Sequence, residues 1–334
     1  MSFTPRSVLV VGGLLAATAL VAGCSGGSTV EPSASGDAAV TIAAVLPNTS
    51  DPFWQTMSCG IDSRAAELGV EVQQFNSTNT DANAVASNFQ SASLIGADGM
   101  IVTPLNNNQF VAQFQKLMGE GVPIVTGNGT EPQVNYLTIN SGNDTAGFAE
   151  DVADVIPAGA GSMVFLGGAP GIPPLENRTQ PFVEAVQAMR PDLTALPTDY
   201  SGFDINKATS NVASLIIANP DLKLIIAADG PDGVGAAAAV KQAGKAGEIA
   251  VIAFDAVPAQ VEALREGTIS VLIAQDPFSI GADSVQAIVD YLAEHADGGA
   301  VEPAGAKGIQ SAVLTADNID DPSNEKYLYT TECG

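Results

Sequence analysis

The clearest candidates for chemistry are acidic and aromatic side chains that follow an apolar run near the start of the chain. Asp51, Phe53 and Trp54 come after the apolar run 42–46, where a helix-like segment begins. Trp54 is the only tryptophan of a chain that is 5% aromatic. In open α/β sheets, ligands bind at the carboxyl ends of strands. The alternative is that the two rings only pack the helix start onto the sheet.

Other polar and aromatic residues stand close behind later apolar runs. They are Asn128, Arg178, Phe203, Asp229, Asp255 and Gln275. If those runs are parallel strands, their carboxyl ends lie along common edges. Polar and aromatic side chains therefore recur where a binding cleft would form.

Short apolar runs alternate with longer amphipathic stretches, which favours an α/β fold. The predicted strands are 40–46, 70–75, 99–103, 122–126, 135–139, 162–166, 195–200, 222–228, 249–254 and 269–274. The predicted helices are 53–68, 82–95, 107–120, 144–156, 177–190, 205–218, 232–246, 257–266 and 279–296. Wholly apolar runs such as 163–166 are typical of strands buried on both faces of a parallel sheet.

So many strands exceed what one compact sheet usually carries. The polar stretch 139–144 separates two sets of βα units of similar size. We therefore predict two doubly wound parallel-sheet lobes that face each other, with their strand ends lining a cleft.

The amino-terminal stretch is predicted to be a signal. The apolar run 8–21 is too short to span a membrane, and the letters VAGC at 21–24 resemble the bacterial lipobox. We predict a signal peptide over 1–23, lipidation at Cys24 and a flexible tether over 24–39. The alternative is an ordinary secretory signal with an incidental cysteine. Both place the protein outside the cytoplasm.

The charge of the chain excludes nucleic acid as a partner. Asp and Glu total 37 against 12 Lys and Arg, a formal net charge of −25, and the basic residues are not clustered. Binding to phosphate backbones needs clustered cations. We expect a solvated acidic surface, with the lipid anchor as the only contact with the membrane.

Two cysteines remain besides the predicted lipidation site. Cys59 and Cys333 form an even pair in an oxidising compartment, which predicts a disulfide. The alternative is two unlinked thiols, because sequence does not show that they approach each other.

His295 is the one histidine, which excludes the usual zinc sites and Ser-His triads. We predict neither a metal nor a cofactor.

Six short motifs along residues 40–315 resemble the ribose-binding group of type I periplasmic sugar-binding proteins. They are Asp51-Pro52-Phe53-Trp54, Val122-Pro123-Ile124-Val125-Thr126, Asn177-Arg178 with Phe182, Tyr200-Ser201-Gly202-Phe203-Asp204, Val251-Ile252-Ala253-Phe254-Asp255 and Ile273-Ala274-Gln275-Asp276-Pro277. Each alone is weak, whereas six in the family's order are specific. The resemblance implies two lobes joined by a three-segment hinge, near 141, 275 and 308.

The resemblance also implies a ligand set, carried over residue by residue. Phe53, Trp54 and Phe203 would sandwich the apolar faces of a sugar ring. The hydrogen-bonding residues would be Asp51, Asn128, Arg178, Asp229, Asp255 and Gln275. Carboxylates accept, a guanidinium donates in a planar fork and amides do both, as a set of hydroxyls requires. A wrong epimer would leave a buried polar group unpaired, at a cost of about 1–3 kcal/mol.

Three positions depart from the family pattern. Asp51 and Asp229 stand where the ribose-binding pattern has Asn, and Gly129 stands where the family often has Arg. These departures argue against ribose. They favour another neutral aldose or polyol and permit an amine-bearing ligand. The alternative for each acid is local, as the cap of the helix or turn that follows it.

Other functions fit the sequence less well. The stretch 233–238 matches a dinucleotide fingerprint, but Asp229 and Asp232 would repel a pyrophosphate. A glycosidase needs two carboxylates around a bond, and we expect no cleft acid with the raised pKa that such an enzyme uses. Repressors of the lactose type share the fold, but they begin with a helix-turn-helix where this chain has the lipobox and tether.

We therefore predict a monomeric, non-enzymatic solute-binding lipoprotein on the extracytoplasmic face of the cell membrane. It would capture a monosaccharide or polyol between its lobes and deliver it to an ABC permease. The lobes would comprise 40–141 with 276–308, and 142–275 with 309–334. The alternative is a sensor that presents a bound sugar or autoinducer to a receptor kinase or chemoreceptor.

Overall fold

The structure, a computed structural model, describes residues 39–129, 134–142 and 145–333. The predicted signal peptide, Cys24 and nearly all of the predicted tether lie outside the described residues. Within the described ranges, no helix combines the length and the apolar character needed to cross a membrane.

Two six-stranded sheets form the framework of the described residues. Their strands are β1 (Thr41–Val45), β2 (Glu71–Gln74), β3 (Gly99–Val102), β4 (Ile124–Gly127), β5 (Leu137–Ser141), β6 (Gly161–Leu166), β7 (Leu193–Ala195), β8 (Leu222–Ala227), β9 (Ala250–Phe254), β10 (Val271–Ala274), β11 (Gly305–Ile309) and β12 (Ala312–Leu314). The first sheet has the order β11-β5-β4-β3-β1-β2, with every neighbouring pair parallel. The second has the order β12-β10-β9-β8-β6-β7, and only its β10–β12 pair is antiparallel.

Helices connect the strands and pack on both sheets. They are α1 (Pro52–Leu68), α2 (Ala82–Ala92), α3 (Val111–Gly119), α4 (Phe148–Asp151), α5 (Pro173–Met189), α6 (Ile205–Ala218), α7 (Gly230–Gln242), α8 (Pro258–Arg265) and α9 (Pro277–Glu294). Several begin at an aspartate whose carboxylate accepts a hydrogen bond from the first turn, namely Asp51, Asp81, Asp204, Asp229 and Asp276. These caps pair N–H groups that the helix leaves unpaired, so they determine where the helices begin.

Continuous apolar runs form the buried strands, and β3 and β9 are buried along their whole length. We call each sheet with its helices a lobe. In the first lobe, α1 and α9 pack closely, because a Cβ at Gly60 or Gly281 would collide with the backbone of the facing helix. Glycine is therefore required at both positions for this approach.

The chain passes between the lobes at three described places: after β5, between β10 and α9, and between β11 and β12. The predicted fold class, two doubly wound parallel-sheet lobes joined by three segments, is confirmed.

The residues after β12, 315–333, are called the tail here. The tail ends in a disulfide between Cys333 and Cys59 of α1, with Cα atoms 5.2 Å apart. The last residues assigned by sequence to the second lobe thus contact the first.

Two strands, β11 and β12, were not predicted by the apolar runs. β11 is almost wholly exposed and carries no apolar signal, and it pairs with the edge of β5. The predicted helix 144–156 is shorter than expected. It covers only Phe148–Asp151, because the next residue, Val152, leaves the helical region with φ −104° and ψ 3°, and a 3-10 turn at Ala153–Val155 follows.

Candidate functional site

A cleft of about 370 Å³ is lined by residues that follow strands of both sheets. The lining residues are Asn48, Asp51, Phe53, Trp54, Thr80, Ala82, Thr103, Pro104, Leu105, Asn106, Asn128, Ile172, Leu175, Arg178, Phe203, Asp229, Pro231 and Asp255. All the predicted binding residues except Gln275 are among them. A cavity of about 480 Å³ lies within the second lobe, beside α5 and β6, but none of the predicted residues lines it. The cleft is therefore the candidate site.

Aromatic rings line the cleft from both lobes. Phe53 and Trp54 open α1, with ring centroids 4.8 Å apart in an edge-to-face arrangement. Phe53 is buried and also packs on Tyr329 at 5.6 Å, so it holds the helix start in place as well as lining the cleft. Phe203 of the second lobe is 37% exposed and has a left-handed backbone with φ 63°. Its N–H donates to Ser201 Oγ at 3.0 Å, which stabilises this turn.

Arg178 is the one cationic side chain among the lining residues. Its Nη1 lies 3.2 Å from Asp255 Oδ1, and its Nη2 donates to the Ala228 carbonyl at 2.9 Å. Asp255 also accepts a hydrogen bond from Gly230 N at 3.1 Å. The Nε of Arg178 is buried and meets no acceptor among the described residues. An unpaired buried donor of this kind carries an unmet desolvation cost of about 1–3 kcal/mol.

Asp51 combines a local role with a place in the cleft. Its Oδ1 accepts from Phe53 N at 2.8 Å, as the cap of α1. Burial raises the pKa of the Asp51 carboxyl from 3.8 to about 6, and the negative charge of Asp255 adds to the rise. The expectation that no cleft acid has a raised pKa is therefore wrong. The reason is that Asp51 is desolvated while Arg178 is already paired with another carboxylate.

Asp229 is also both a helix cap and a cleft residue. Its Oδ1 accepts from Asp232 N at 2.9 Å, whereas its Oδ2 is buried without a donor among the described residues. Burial and the charge of Asp232 raise the pKa of Asp229 well above its ordinary value. Asp232 is wholly buried, and burial raises its pKa too. It accepts a hydrogen bond from Gly168 N at 2.7 Å.

Sequence reasoning considered Asp232 only as an obstacle to a nucleotide. Its position in the first turn after Asp229 was the available signal, because residues three apart on a helix share a face. Three or more His, Cys, Asp or Glu side chains placed to hold a metal are not found in the described part of the chain.

The end of β4 explains one departure from the family pattern. Asn128 has a left-handed backbone, with φ 50°, and its N–H donates to Ile139 O at 2.9 Å. A Cβ at Gly129 would lie 2.7 Å from Pro104 Cδ, so an arginine there would force the loop after β3 to move. Pro104 and Leu105 of that loop line the cleft instead. Sequence reasoning missed this loop, because it has no charged residue to mark it.

Gln275 lies behind the cleft and does not line it. It is 1% exposed, and its Nε2 donates to Asp255 Oδ1 at 2.6 Å. Its Oε1 accepts from Ser141 Oγ. Both ends of the amide are engaged by protein, so Gln275 supports Asp255 from behind the cleft, and its contact with a ligand stays a prediction.

Comparison with known proteins agrees with this fold. A family described as periplasmic binding protein domain matches residues 42–297. The D-allose-binding periplasmic protein of Escherichia coli (strain K12) is 27% identical over 272 residues, covering 77% of this chain and 86% of that protein. The ribose import binding protein RbsB of Salmonella typhimurium is 27% identical over 250 residues, covering 74% of this chain and 82% of that protein.

A solved structure gives the same result. An ABC transporter solute binding protein from Agrobacterium vitis, bound with alpha-D-tagatopyranose, superposes with a TM-score of 0.76 at 26% identity, over 87% of this chain and 99% of that one. The predicted kinship with the ribose-binding group is confirmed. Because the family match spans most of its length and the two-lobed fold agrees, the chain belongs to the periplasmic binding protein domain family.

Proposed function

We propose that this protein captures a sugar or polyol in the cleft between its lobes and delivers it to an ABC importer. The observation that carries the proposal is the composition of the cleft. The rings of Phe53 and Trp54 come from one lobe and that of Phe203 from the other, beside the Arg178–Asp255 pair. Aromatic faces suit the C–H faces of a sugar ring, and the polar groups suit its hydroxyls.

The unpaired atoms of the cleft support a polyhydroxylated ligand. Asp229 Oδ2 is a buried acceptor and Arg178 Nε a buried donor, and neither has a partner among the described residues. Each such group costs roughly 1–3 kcal/mol while unpaired, and a hydroxyl can satisfy either of them. The volume of about 370 Å³ falls within the roughly 300–1,000 Å³ of small-molecule sites.

The names of the relatives support a monosaccharide. They are named for D-allose and ribose, and the Agrobacterium vitis structure holds a tagatopyranose. Asp51 and Asp229 replace amides by acceptors that need donors, which favours a ligand other than ribose. Recognition by both lobes means that the ligand stabilises the closed arrangement, which the permease would then bind.

The proposal includes attachment to the membrane. Cys24 would carry the lipid and residues 24–39 would form the tether, so that a monomer acts on the extracytoplasmic face of the cell membrane. It binds and releases its ligand without chemical conversion.

The test is a thermal-shift panel on residues 25–334, which include the compact unit 39–334. The panel holds D-allose, D-ribose, D-tagatose, alditols, inositols and amino sugars. A ligand at 100 times its Kd stabilises the folded protein by about 2.7 kcal/mol, which raises the melting temperature by several degrees. Unchanged melting with every compound would contradict the proposal. Conversion of a bound sugar to product would favour an enzyme.

A further inference from the structure

The tail begins on the second lobe. Arg265 of α8 forms an ion pair with Asp320 at 2.6 Å. Further along, the N–H of Tyr329 donates to the carbonyl of Ala256, just after β9, at 3.1 Å. Tyr329 itself is 4% exposed. Up to this residue the tail lies mainly on the second lobe, with two contacts to the first: Lys326 Nζ lies 3.4 Å from Asp276 Oδ2 at the start of α9, and Tyr329 packs on Phe53.

Beyond Tyr329 the tail is attached to the first lobe. Thr330 N donates to Thr56 Oγ1 at 2.8 Å, and the hydroxyl of Thr56 donates in turn to Pro52 O at 2.7 Å in α1. The disulfide then joins Cys333 to Cys59. Thr56 and Cys59 both belong to α1, the helix that opens with the cleft rings. The tail thus crosses between the lobes in a few residues.

The crossing passes directly behind the binding residues. The Tyr329 hydroxyl donates to Asp255 Oδ1 at 3.2 Å and accepts from Gln275 N at 3.4 Å. Gln275 in turn bonds Asp255 and Ser141, and Gln275 and Ser141 lie at two of the three crossings. Burial raises the pKa of the Tyr329 phenol well above its ordinary value, so the hydroxyl remains protonated and can donate at neutral pH.

We infer that the tail is a fourth connection between the lobes, fastened by the Cys59–Cys333 disulfide, and that Tyr329 positions Asp255 and Gln275 for ligand binding. Opening the lobes must move Tyr329 relative to α1, and the covalent bridge limits how far residues 330–333 can follow. The restraint on lobe opening follows from the contacts alone, whereas the positioning of Asp255 and Gln275 rests on the proposed function.

Lobe opening is tested without any ligand. Spin labels are attached through thioether bonds at Leu94→Cys in the first lobe and Ile217→Cys in the second, positions that are 86% and 80% exposed. Pulsed electron resonance then gives the distribution of distances between the lobes. We expect Cys59→Ser/Cys333→Ser to lengthen the mean distance and broaden the distribution relative to the bridged protein. Identical distributions would overturn the inference.

A reductant provides the second route if the double serine variant does not fold. Cys333 is exposed, so a phosphine can reach the bridge in the native protein. The thioether labels survive this treatment. The reduced protein should show the same lengthening, and a distribution unchanged from the oxidised protein would again overturn the inference.

Positioning by Tyr329 is tested by affinity. Tyr329→Phe removes only the hydroxyl, and Tyr327→Phe is the matched control, a buried tyrosine of the same tail. Using D-allose and D-tagatose as probes, we expect Tyr329→Phe to weaken binding about three- to tenfold. Tyr327→Phe should leave the affinity unchanged. Equal affinities for the two variants would overturn the role of Tyr329. The melting temperature of each variant is measured as well, because a purely structural role would lower the melting temperature and leave the affinity unchanged.

The two experiments separate the possible failures. If neither probe nor any compound of the panel binds the unaltered protein, the proposed function and the role of Tyr329 both fail. The distances between the labels would still decide whether the tail restrains the lobes.

Discussion

The guanidinium of Arg178 and the carboxylate of Asp255 lie 3.2 Å apart in the wall of the cleft, and both belong to the second lobe. Their side chains are only 11% and 10% exposed, so each charge relies on the other in place of water. The second lobe therefore carries a neutralised ion pair beside Asp229 and the ring of Phe203, whereas the first lobe contributes Asp51, two aromatic rings and, among its described residues, no cationic side chain to the lining. The two halves of the cleft differ in chemistry.

Loss of Arg178 should affect both binding and stability. Arg178→Met leaves Asp255 buried without its cation, which typically costs about 3–5 kcal/mol of unfolding free energy. We expect urea denaturation to show a loss of this size, and calorimetry to show at least a hundredfold weaker binding of the sugar found in the panel. Lys241→Met, which breaks an exposed ion pair with Glu266 in the same lobe, is the control and should change neither. Full affinity in Arg178→Met would exclude this pair from the site.

Asp51 should make stability depend on pH. Its folded-state pKa of about 6 exceeds the ordinary 3.8, so the folded state binds the proton more tightly than the unfolded state. The contribution of this group to stability therefore falls as pH rises from about 4 to about 6 and is constant above. Asp51→Asn keeps a capping side chain without the charge. At pH 7.5 we expect this variant to have an unfolding free energy about 1–2 kcal/mol above that of the unaltered protein, seen as a higher melting temperature. Near pH 4 the two proteins should melt at the same temperature.

The same change at an exposed cap provides the control for Asp51. Asp81 caps α2 and is exposed, although its neighbours Thr80 and Ala82 line the rim of the cleft. The difference in stability between Asp81→Asn and the unaltered protein should not grow between pH 4 and pH 7.5 as it does for Asp51→Asn. A stability difference for Asp51→Asn that stays constant over this range would show that burial of the carboxyl is not its cause.

Trp54 should report ligand binding directly. It is the only tryptophan and lines the cleft, so a saturating sugar should change its emission. Trp54→Ala removes the apolar face and should weaken binding about tenfold or more, while Trp54→Phe retains a ring and should lose less. A sugar that shifts the melting temperature but leaves the emission unchanged would place Trp54 outside the contact.

Cys24 should be the site of lipid attachment. Cys24→Ala should abolish labelling by a palmitate analogue in cells and release the protein from the membrane fraction. Cys59→Ser/Cys333→Ser removes the other two cysteines and should remain labelled. Labelling that persists in Cys24→Ala would contradict the lipobox.

The sequence predicted the framework well because the buried strands are continuous apolar runs. Nine of the ten predicted strands match observed strands, whereas β7 (Leu193–Ala195) shares only Ala195 with the predicted 195–200, and helix 205–218 has the predicted bounds. β11 was missed because its pairing is decided by the open edge of β5 and not by its own composition. Tertiary contacts override local preference in such short exposed strands.

The site was predicted less completely than the fold. Charged and aromatic residues at strand ends identified most of the cleft, and the caps at Asp51 and Asp229 proved compatible with a place in it. The apolar loop at Pro104 gave no signal. Nor could spacing show that Gln275 faces inward, because its partners Ser141 and Tyr329 are remote in sequence.

The close packing of α1 on α9 has a mechanical consequence. α9 begins just after the crossing at Gln275, and the contacts at Gly60 and Gly281 leave no room between it and the helix that carries Phe53 and Trp54. Close-packed interiors transmit displacement with little compression. A small rotation of the backbone at that crossing therefore moves α9 and α1 together as one rigid unit. The angle between the lobes then determines the orientation of the Phe53 and Trp54 rings in the cleft.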